Sequence, residues 1–410
     1  MTKYRYGERD WGQGHYGGYG DHRVDYPVAA FVEVYDSTGA LVQVYQAGSS
    51  DLLQLTFRLD EAGCSEFSLS FSHYVKVEKK YTVRIKLFGS DDYFYHGVVR
   101  YIPIDGSTKS EFVYGGFGLV DYLSRIITGE ESYAGDTLEE IVVDLLDRII
   151  TVKTPIRKNL AKIAFDSVIT VTGVNFHYIS VMEALKQVQD IASSDGSEYV
   201  YGVDADGDFF FRPRSSDVAA TLVVGKRGTF GIDAYEPSDS YEAKSKLVVL
   251  RDDGTYFGEY ASTEDVDVFE EKLTGPDVDD DELDLWAQGQ LLVKEQETRQ
   301  ATVNWQIERV DPVRLTADGW LRVISSRPPS RFSVGTYLFG TRTFGAGLFG
   351  GDQSDLLLVD DTLKIREVTY TISGSMASRE IQLGSIPVRL DREMVEIHKD
   401  VQSLRVSLGR

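Results

Sequence analysis

The stretch YVYGVDADGDFFFRP at residues 199–213 has two runs rich in aromatic residues on either side of an Asp-Gly pair. Glycine adopts positive φ without steric cost, so Asp206-Gly207 is a turn dipeptide and the stretch predicts a β-hairpin. Just upstream, Ser180 and Glu183 form the Ser-x-x-Glu pattern of a capping box, which predicts the start of a helix. The chain here is therefore predicted to pass from a helix into a hairpin.

A second capping box, Thr137 with Glu140, predicts an earlier helix. The apolar residues of this helix recur at helical spacing and share one face: Leu138, Ile141, Val142, Leu145, Leu146, Ile149 and Ile150. The helix that begins at Ser180 has the same pattern at Val181, Ala184, Leu185, Val188 and Ile191. Together with the hairpin, the two helices predict an α+β middle domain over residues 121–213.

The residues before this domain, 29–120, have the alternation of short β-strands. A hairpin is predicted from Ala30 to Tyr45 around Ser37-Thr38-Gly39. Further strands are predicted at Leu52–Leu59, Glu66–Phe71, Lys80–Phe88, Tyr93–Tyr101 and Lys109–Tyr114. Short alternating strands at this spacing are typical of a barrel or sandwich, and they predict a first β-barrel domain.

The residues after the middle domain, 214–385, predict a second β-barrel domain. The acidic run from Asp277 to Asp284 complements a helix dipole, so we interpret it as the start of a helix that extends to about Thr298. Strands are predicted at Leu247–Leu250, Glu259–Tyr260, Ala301–Val310, Trp320–Ser325, Leu356–Val359, Lys364–Ile372 and Arg379–Leu383. The predicted fold class is mainly β with an α+β insertion: two β-barrel-like domains, a helix-containing middle domain and a C-terminal coiled-coil helix.

A five-residue unit consists of an aromatic residue, a glycine and three variable residues. It occurs three times in a row in an N-terminal arm at 1–28 and three times again in a loop at 337–352. A period of five fits neither a strand nor a helix, so each run predicts chained tight turns. The aromatic residues would form protein-docking arms, since aromatic rings contribute large buried areas at interfaces. They are Tyr6, Trp11, Tyr16, Phe339, Phe344 and Phe349. The alternative is a pair of glycine-rich surface loops.

The last residues, 386–410, have heptad spacing. The predicted core positions, which would form an oligomer interface, are Leu390, Met394, Ile397, Val401, Leu404 and Leu408. Acidic residues at g face basic residues at e of a neighbouring helix, a charge pattern that favours a parallel coiled coil. The alternative is an amphipathic helix that packs on its own domain.

Composition and charge exclude several classes of function. A net charge of −22 argues against broad nucleic-acid binding, which needs clustered Lys and Arg. The chain has no apolar run long enough to span a membrane and no signal-peptide pattern at its N-terminus. Cys64 is the single cysteine, so neither an internal disulfide nor a cysteine-based zinc site is expected. The excess of acids, with more Arg than Lys, raises the hypothesis of a high-salt host.

The sequence contains no complete motif for catalysis, cofactor binding or metal binding. Both aromatic-glycine runs contain G-x-G-x-x-G, but without the strand and helix that dinucleotide binding needs. Gly225-Lys226-Arg227-Gly228 lacks the rest of a phosphate-loop motif and is interpreted as a turn. Asp204, Asp206 and Asp208 resemble the start of a calcium loop, but Ser215 stands where the glutamate belongs, which favours a hairpin turn. No serine or zinc hydrolase signature is present, although a pair of carboxylates as in glycosidases stays an alternative.

Taken in order, three stretches resemble the baseplate or tail-tip hub proteins of tailed viruses. One is FVYGGFGLVDYL at 112–123 followed by the Thr137 helix. Another is the second helix with the hairpin at 199–213. The third is the helix from Asp281, then the strand from Val303 to Val310 and the closing segment Lys364 to Gly384. The likeness covers about residues 29 to 385 and depends on the order of the segments rather than on any single motif.

The resemblance implies a structural protein of the virion and not an enzyme. It implies a homotrimer in which two barrels per chain make a pseudo-sixfold ring that closes the tail tube. The partners it implies are a tail tube or distal tail protein, the tape-measure protein, and a tail fibre or spike. Its location would be the tail tip, after assembly in the host cytoplasm, with no direct nucleic-acid binding and no membrane span.

The chain departs from the hub pattern at two points. The aromatic-glycine arms are not part of that pattern, and the heptads end where many hubs continue into a peptidase or fibre domain, so digestion of the host wall is not expected. Two other functions stay open. A carbohydrate-binding adhesin would use exposed Tyr and Trp of the arms, and a cell-envelope hydrolase would use a carboxylate pair.

Overall fold

A computed structural model describes residues 30–87, 90–103, 111–195, 197–224, 232–240, 246–261, 270–295, 298–306, 315–326, 357–374 and 376–384. The first part of the chain forms seven strands in sequence. They are β1 (Ala30–Tyr35), β2 (Leu41–Gln46), β3 (Leu52–Asp60), β4 (Gly63–Phe71), β5 (Thr82–Leu87), β6 (Tyr95–Tyr101) and β7 (Phe112–Gly118). The predicted first hairpin is confirmed: β1 and β2 are antiparallel, and Gly39 in their turn has φ +84°.

The middle of the chain contains the two predicted helices and the predicted hairpin. In order it forms α1 (Asp121–Arg125), β8 (Glu130–Tyr133), α2 (Leu138–Leu145), a π-helical turn (Leu146–Ile150), α3 (Thr151–Lys153), a 3₁₀ turn (Leu160–Lys162), β9 (Val174–His177), α4 (Val181–Ala192), a second 3₁₀ turn (Ser193–Asp195), β10 (Tyr199–Val203) and β11 (Phe209–Pro213). Both capping boxes are present in full, at Thr137–Glu140 and at Ser180–Glu183. Every apolar residue predicted on the two helix faces is buried.

Among the described residues, the last part of the chain returns to strands and contains the helix α5. Its elements are β12 (Val218–Val224), β13 (Ile232–Ser240), β14 (Lys246–Leu250), β15 (Tyr256–Ala261), β16 (Glu270–Thr274), α5 (Asp280–Glu295), β17 (Thr298–Gln306), β18 (Trp320–Ser326), β19 (Leu357–Ser373) and β20 (Met376–Gly384). Two strands predicted separately, Leu356–Val359 and Lys364–Ile372, form the single strand β19. The ladder to β18 continues across the residues between them, which explains the absence of a break.

Strands from the first and last parts of the chain pair directly in one sheet. Its hydrogen-bonded order is β13-β17-β20-β19-β3-β4-β7-β6-β5-β1-β2, with β10, β11, β12 and β18 attached to it. The link between the two parts is the antiparallel pair β3–β19, in which Leu59 lies opposite Val368. Closure of the strands into two barrels and the C-terminal coiled coil stay predictions.

Two apolar clusters lie within this architecture. The first joins both parts of the sheet, from Val32 in β1 to Ile381 in β20. The second is formed mainly by the middle of the chain, where residues of α2, α4 and the hairpin β10–β11 cluster with Leu247 of β14 and Trp286 of α5. The hairpin contacts the sheet at Gly63 of β4, which lies opposite Val203. The middle elements are thereby attached to the turn between β3 and β4.

Candidate functional site

The residues predicted as sites lie outside the described residues. This applies to the six arm aromatics, Tyr6, Trp11, Tyr16, Phe339, Phe344 and Phe349, and to the six heptad positions, Leu390, Met394, Ile397, Val401, Leu404 and Leu408. The Gly225–Gly228 turn also lies outside them. Their interface roles therefore stay predictions.

Five charged side chains meet where the first strands, the middle hairpin and the last strands join. We call them the junction cluster: Glu61, Glu198, Arg214, Lys364 and Arg366. Glu61 belongs to the turn between β3 and β4, Glu198 and Arg214 flank the hairpin, and the other two lie on β19. The cluster thus connects three parts of the chain that are far apart in sequence.

Arg214 is at the centre of the junction cluster. Its side chain is only 2% exposed, and its guanidinium pairs with Glu61 and lies 3.2 Å from Glu198 Oε1 through Nε. One further N–H donates to the carbonyl of Ala317 at 3.1 Å, just before β18. A buried charge is tolerated only when it is paired and hydrogen-bonded, and Arg214 has both kinds of contact.

Lys364 and Arg366 complete the cluster from β19. Lys364 Nζ lies 2.5 Å from Glu198 Oε2, and Arg366 Nε donates to the carbonyl of Gly384 at 2.5 Å while its guanidinium pairs with Glu61. Burial raises the pKa of Glu198, but the charges of Arg214, Lys364 and Arg366 outweigh burial, so the pKa lies below its ordinary value. Burial lowers the pKa of Lys364, and the two arginines lower it further against the opposing effect of Glu198. The pKa of Glu198 and that of Lys364 therefore both depend on the neighbouring charges of the cluster.

A groove of about 540 Å³ crosses the sheet over β3, β4, β6, β7, β19 and β20. Its lining combines polar and charged side chains with aromatic and apolar ones. The polar and charged ones include Thr56, Arg58, Glu66, Glu367, Thr369 and Glu380, and the others are Phe67, Tyr101, Val113 and Phe117. Arg58 Nη1 lies 3.2 Å from Glu66 and 3.5 Å from Glu367. Three carboxylates against one guanidinium make the groove acidic, so it favours polar or cationic surfaces over phosphates.

The Asp204–Asp208 segment is a hairpin turn, as predicted. Gly207 has φ +88°, and the ladder of β10 with β11 closes around it. The ammonium of Lys162 lies 2.5 Å from Asp204 Oδ2 and 2.9 Å from Asp208 Oδ2, and Arg157 lies 2.8 Å from Asp208 Oδ1. Cationic side chains therefore neutralise the carboxylates that gave the segment its likeness to a calcium loop.

His96 is a buried imidazole at the contact between β6 and this turn. It is 7% exposed, and among the described residues its Nδ1 has no hydrogen-bond partner. A Cβ placed on Gly207 would lie 3.1 Å from that nitrogen, so the turn packs closely against the ring. Burial, followed by the charges of Arg84 and Arg157, lowers the pKa of His96 to about 3. The imidazole is consequently neutral at physiological pH.

Sequence reasoning missed the junction cluster, although part of its signal was present. Glu198 and Arg214 stand immediately before and after the predicted hairpin, and Arg214 N–H donates to the Glu198 carbonyl at 2.6 Å. Hairpin register alone would have predicted this pair of opposite charges, because such cross-strand pairs stabilise sheets. The contributions of Glu61 and Arg366 depend on strand pairing across most of the chain, which no local pattern indicates.

The described part of the chain offers neither a metal centre nor a membrane helix. No group of three or more His, Cys, Asp or Glu residues within it is arranged to hold a metal ion. Helices there are all too short or too polar to cross a bilayer.

Three solved structures that share this fold are described as tail proteins. A tail protein from Neisseria meningitidis MC58 matches with a TM-score of 0.61 and 13% identity over 87% of this chain and 97% of that one. The 43 kDa tail protein of prophage MuSo2 from Shewanella oneidensis gives 0.57 and 10% identity, over 87% and 96%. A prophage tail protein from Listeria monocytogenes EGD-e gives 0.52 and 12% identity, over 91% and 99%.

These likenesses confirm the predicted resemblance to phage tail proteins at the level of the fold. No family model matches the chain, and no curated protein matches it. The fold is therefore recognised through three-dimensional structure at identities of 13% or lower.

Proposed function

We propose that this chain is a structural protein of a viral tail, a trimeric hub at the distal end that closes the tail tube. The observation that carries the proposal is the fold: tail proteins match 87% or more of this chain and nearly the whole of their own length. The heptads at 386–410 support a trimer, since Ile at d with Leu at a is compatible with more than two strands. No catalytic step is assigned to any residue.

The junction cluster supports a mechanical role for this hub. Arg214 ties the turn after β3 to the hairpin and to the segment before β18, so the sheet and the middle elements resist separation. A hub must transmit load between tail components without deforming, and buried paired charges favour one arrangement over others. The proposed partners are a tail tube or distal tail protein, the tape-measure protein, and a fibre or spike at the C-terminal helices. The proposed place is the tail tip, reached by assembly in the host cytoplasm.

The absolute mass of the purified chain tests the trimer. We expect a trimer by light scattering, and we expect Ile397→Asp to reduce it to a monomer because a carboxylate at a core d position cannot be buried in the coiled coil. Gln402→Asp is the matched control, since it places the same side chain at an outward b position and should leave the trimer intact. Dilute buffer and multimolar KCl should be compared, because a chain of net charge −22 could require salt to associate.

Two results would overturn parts of this proposal. A wild-type monomer in both salts would remove the trimer. A trimer that survives both Ile397→Asp and deletion of 386–410 would leave the hub standing but would place its interface elsewhere. Averaged electron micrographs of the oligomer should show a ring with threefold symmetry, and a compact particle without a central opening would contradict closure of a tube.

A further inference from the structure

A row of short residues forms the floor of the groove over β3, β4, β6 and β7. Gly115 lies opposite Ser68, and Ser68 lies opposite Thr56. Tyr101 lies opposite Gly115 and stands at one end of the row. From the strand of Tyr101 to the strand of Thr56 there are three strand spacings, about 14 Å. We call this row the trough, and it is long enough for an extended ligand rather than a single ion.

A row of charged and polar residues runs beside the trough on the same strands. Glu66 lies opposite Phe117, Arg58 lies opposite Thr369, and Thr369 lies opposite Glu380. Glu66 contacts the Arg58 guanidinium through one carboxylate oxygen. Because an ionised carboxylate accepts about four hydrogen bonds, Glu66 has acceptor capacity beyond this ion pair. This wall therefore offers acceptors, and the hydroxyls of the floor both donate and accept.

The end of the trough at β6 is aromatic. Tyr101 is 61% exposed, and its ring meets the ring of Phe117 at a centroid distance of 5.8 Å and an angle of 67°. A Cβ placed on Gly115 would lie 3.6 Å from the Tyr101 ring, so the ring leans over the bare strand there. The face of an aromatic ring carries partial negative charge and attracts C–H groups. The trough thus ends at a ring that is exposed to solvent and supported from one side.

The strand order restricts how a ligand can be recognised in the trough. Each of the six strands that line the groove has a hydrogen-bonded neighbour on both sides. The backbone N–H and C=O groups of these strands are therefore used in the ladders, and an extended peptide cannot add to them as a further strand. A ligand in the trough has to be recognised by side chains.

The charges at the trough restrict the ligand further. Four charged residues line the groove and two lie beside it: Arg58, Glu66, Glu367 and Glu380, then Asp60 opposite Glu367 and Glu111 hydrogen-bonded to Ser70. The excess of acids repels phosphates and acidic glycans. A cationic side chain would approach the guanidinium of Arg58, which lies between Glu66 and Glu367. An apolar partner would bury these charges at a large cost. The groups present therefore favour a neutral ligand that carries many hydroxyls.

We propose that the trough binds a neutral oligosaccharide. Sugar hydroxyls donate and accept hydrogen bonds, so they match the Glu66 carboxylate and the hydroxyls of Thr56 and Ser68. The C–H groups on one face of a sugar ring match the exposed ring of Tyr101. The groove volume of about 540 Å³ lies within the range of roughly 300–1,000 Å³ that is usual for ligand sites. The inference goes beyond the proposed hub function, and it uses no residue of the arms or the heptads.

A glycan array tests the trough without an assembled tail, so its outcome is separate from that of the mass measurement. The probes are immobilised neutral oligosaccharides of glucose, galactose, mannose and N-acetylhexosamines, together with sialylated and sulfated glycans and oligolysine. The full chain is applied, and the affinity for the best soluble glycan is then measured by isothermal titration calorimetry. We expect a neutral oligosaccharide to bind, and we expect the acidic glycans and oligolysine to bind at least tenfold more weakly.

Variants at Tyr101 assign the binding to the aromatic end of the trough. Tyr101→Ala should weaken glycan binding at least tenfold, because it removes the ring on which the sugar stacks. Tyr101→Phe keeps the ring and should retain most of the affinity. Tyr256→Ala is the matched control: this tyrosine is 58% exposed on β15, outside the groove, and its loss should leave binding unchanged.

A variant at Glu66 tests the charged wall. Glu66→Gln should weaken glycan binding about tenfold, since a hydrogen bond to a charged acceptor is replaced by one to a neutral amide. Glu270→Gln is the matched control, because Glu270 is 54% exposed and pairs with Lys246 at 3.1 Å, away from the groove. Glu66 is 53% exposed, so its substitution is not expected to disturb folding.

Four results would overturn the inference. One is the absence of binding to every neutral glycan of the array at millimolar concentration. Another is glycan binding that neither Tyr101→Ala nor Glu66→Gln weakens but that deletion of residues 1–28 abolishes, which would assign the binding to the N-terminal arm. A third is glycan binding that appears only after that deletion, which would show that the arm occupies the trough. The last is tight binding of oligolysine that Glu66→Gln abolishes, which would assign the groove to a basic peptide.

Discussion

The helical middle of the chain and the long sheet both bury apolar side chains, but they differ in the sequence distance between contacting residues. In the middle, capped helices and a hairpin within residues 121–213 supply most of the apolar cluster. In the sheet, β3 pairs with β19, so Leu59 lies opposite Val368. The middle is therefore organised by signals within a short stretch of sequence, and the sheet by pairing between strands from both ends of the chain. The junction cluster, where the two regions meet, relies on buried charge.

The largest expected effect is at the junction. Arg214→Met should reduce the free energy of unfolding by about 4 kcal/mol, because it removes the buried cation that contacts both Glu61 and Glu198, together with its hydrogen bond to the Ala317 carbonyl. Urea unfolding followed by circular dichroism measures the change. Arg212→Met is the control: that side chain is 45% exposed and pairs with Asp318, so its loss should cost less than about 1 kcal/mol. Equal costs for the two variants would mean that the junction does not hold the regions together.

A truncation in the middle cluster should have a slightly smaller effect confined to that region. Leu145→Ala, at a fully buried position of α2, should cost about 3 kcal/mol through the cavity it leaves. Hydrogen exchange should show lost protection in α2 and α4 while β19 and β20 keep theirs. Val152→Ala, 72% exposed in α3, is the control and should be neutral. Uniform loss of protection across the sheet would show that the two regions unfold as one unit.

Acid should weaken the contact between the sheet and the middle through His96. The native pKa of about 3 lies below the unfolded value of 6.5, so the unfolded chain binds the proton more readily. Stability is therefore complete above pH 6.5 and is lost as pH falls toward 3, by about 2 kcal/mol at pH 5. The glutamine side chain of His96→Gln does not take up a proton. Between pH 7 and pH 5 this variant should therefore lose about 2 kcal/mol less stability than the wild type. The same acid dependence in both proteins would refute this assignment.

The smallest expected effect concerns a local signal in the middle region. Thr137→Ala removes the side chain that accepts from Glu140 N–H at 3.2 Å, and it should cost about 1 kcal/mol. Thr137→Ser keeps the accepting hydroxyl and should stay within a few tenths of a kcal/mol of the wild type. Thermal unfolding compares the three proteins. If alanine is tolerated as well as serine is, packing rather than capping determines where α2 begins.

Local signals explain which parts of the fold could be predicted. The helices that begin after Thr137 and Ser180 followed from capping boxes and apolar spacing, and the hairpins followed from glycine turns. The merger of two predicted strands into β19 could not be predicted, because its partner β18 supplies the pairing that bridges them. Likewise, the burial of Arg214 could not be predicted, because its partners Glu61 and Ala317 are distant in sequence.

From the amino-acid sequence alone one can deduce the strand-rich ends, the capped helices, the hairpin turns and the order of segments that resembles tail hubs. These features depend on contacts between residues a few positions apart, so the spacing of residue types in the sequence indicates them. The folded structure adds the strand pairing between the two ends and the set of charges that are buried at the junction. Those outcomes depend on residues brought together by folding of the whole chain, and a linear pattern does not contain that proximity.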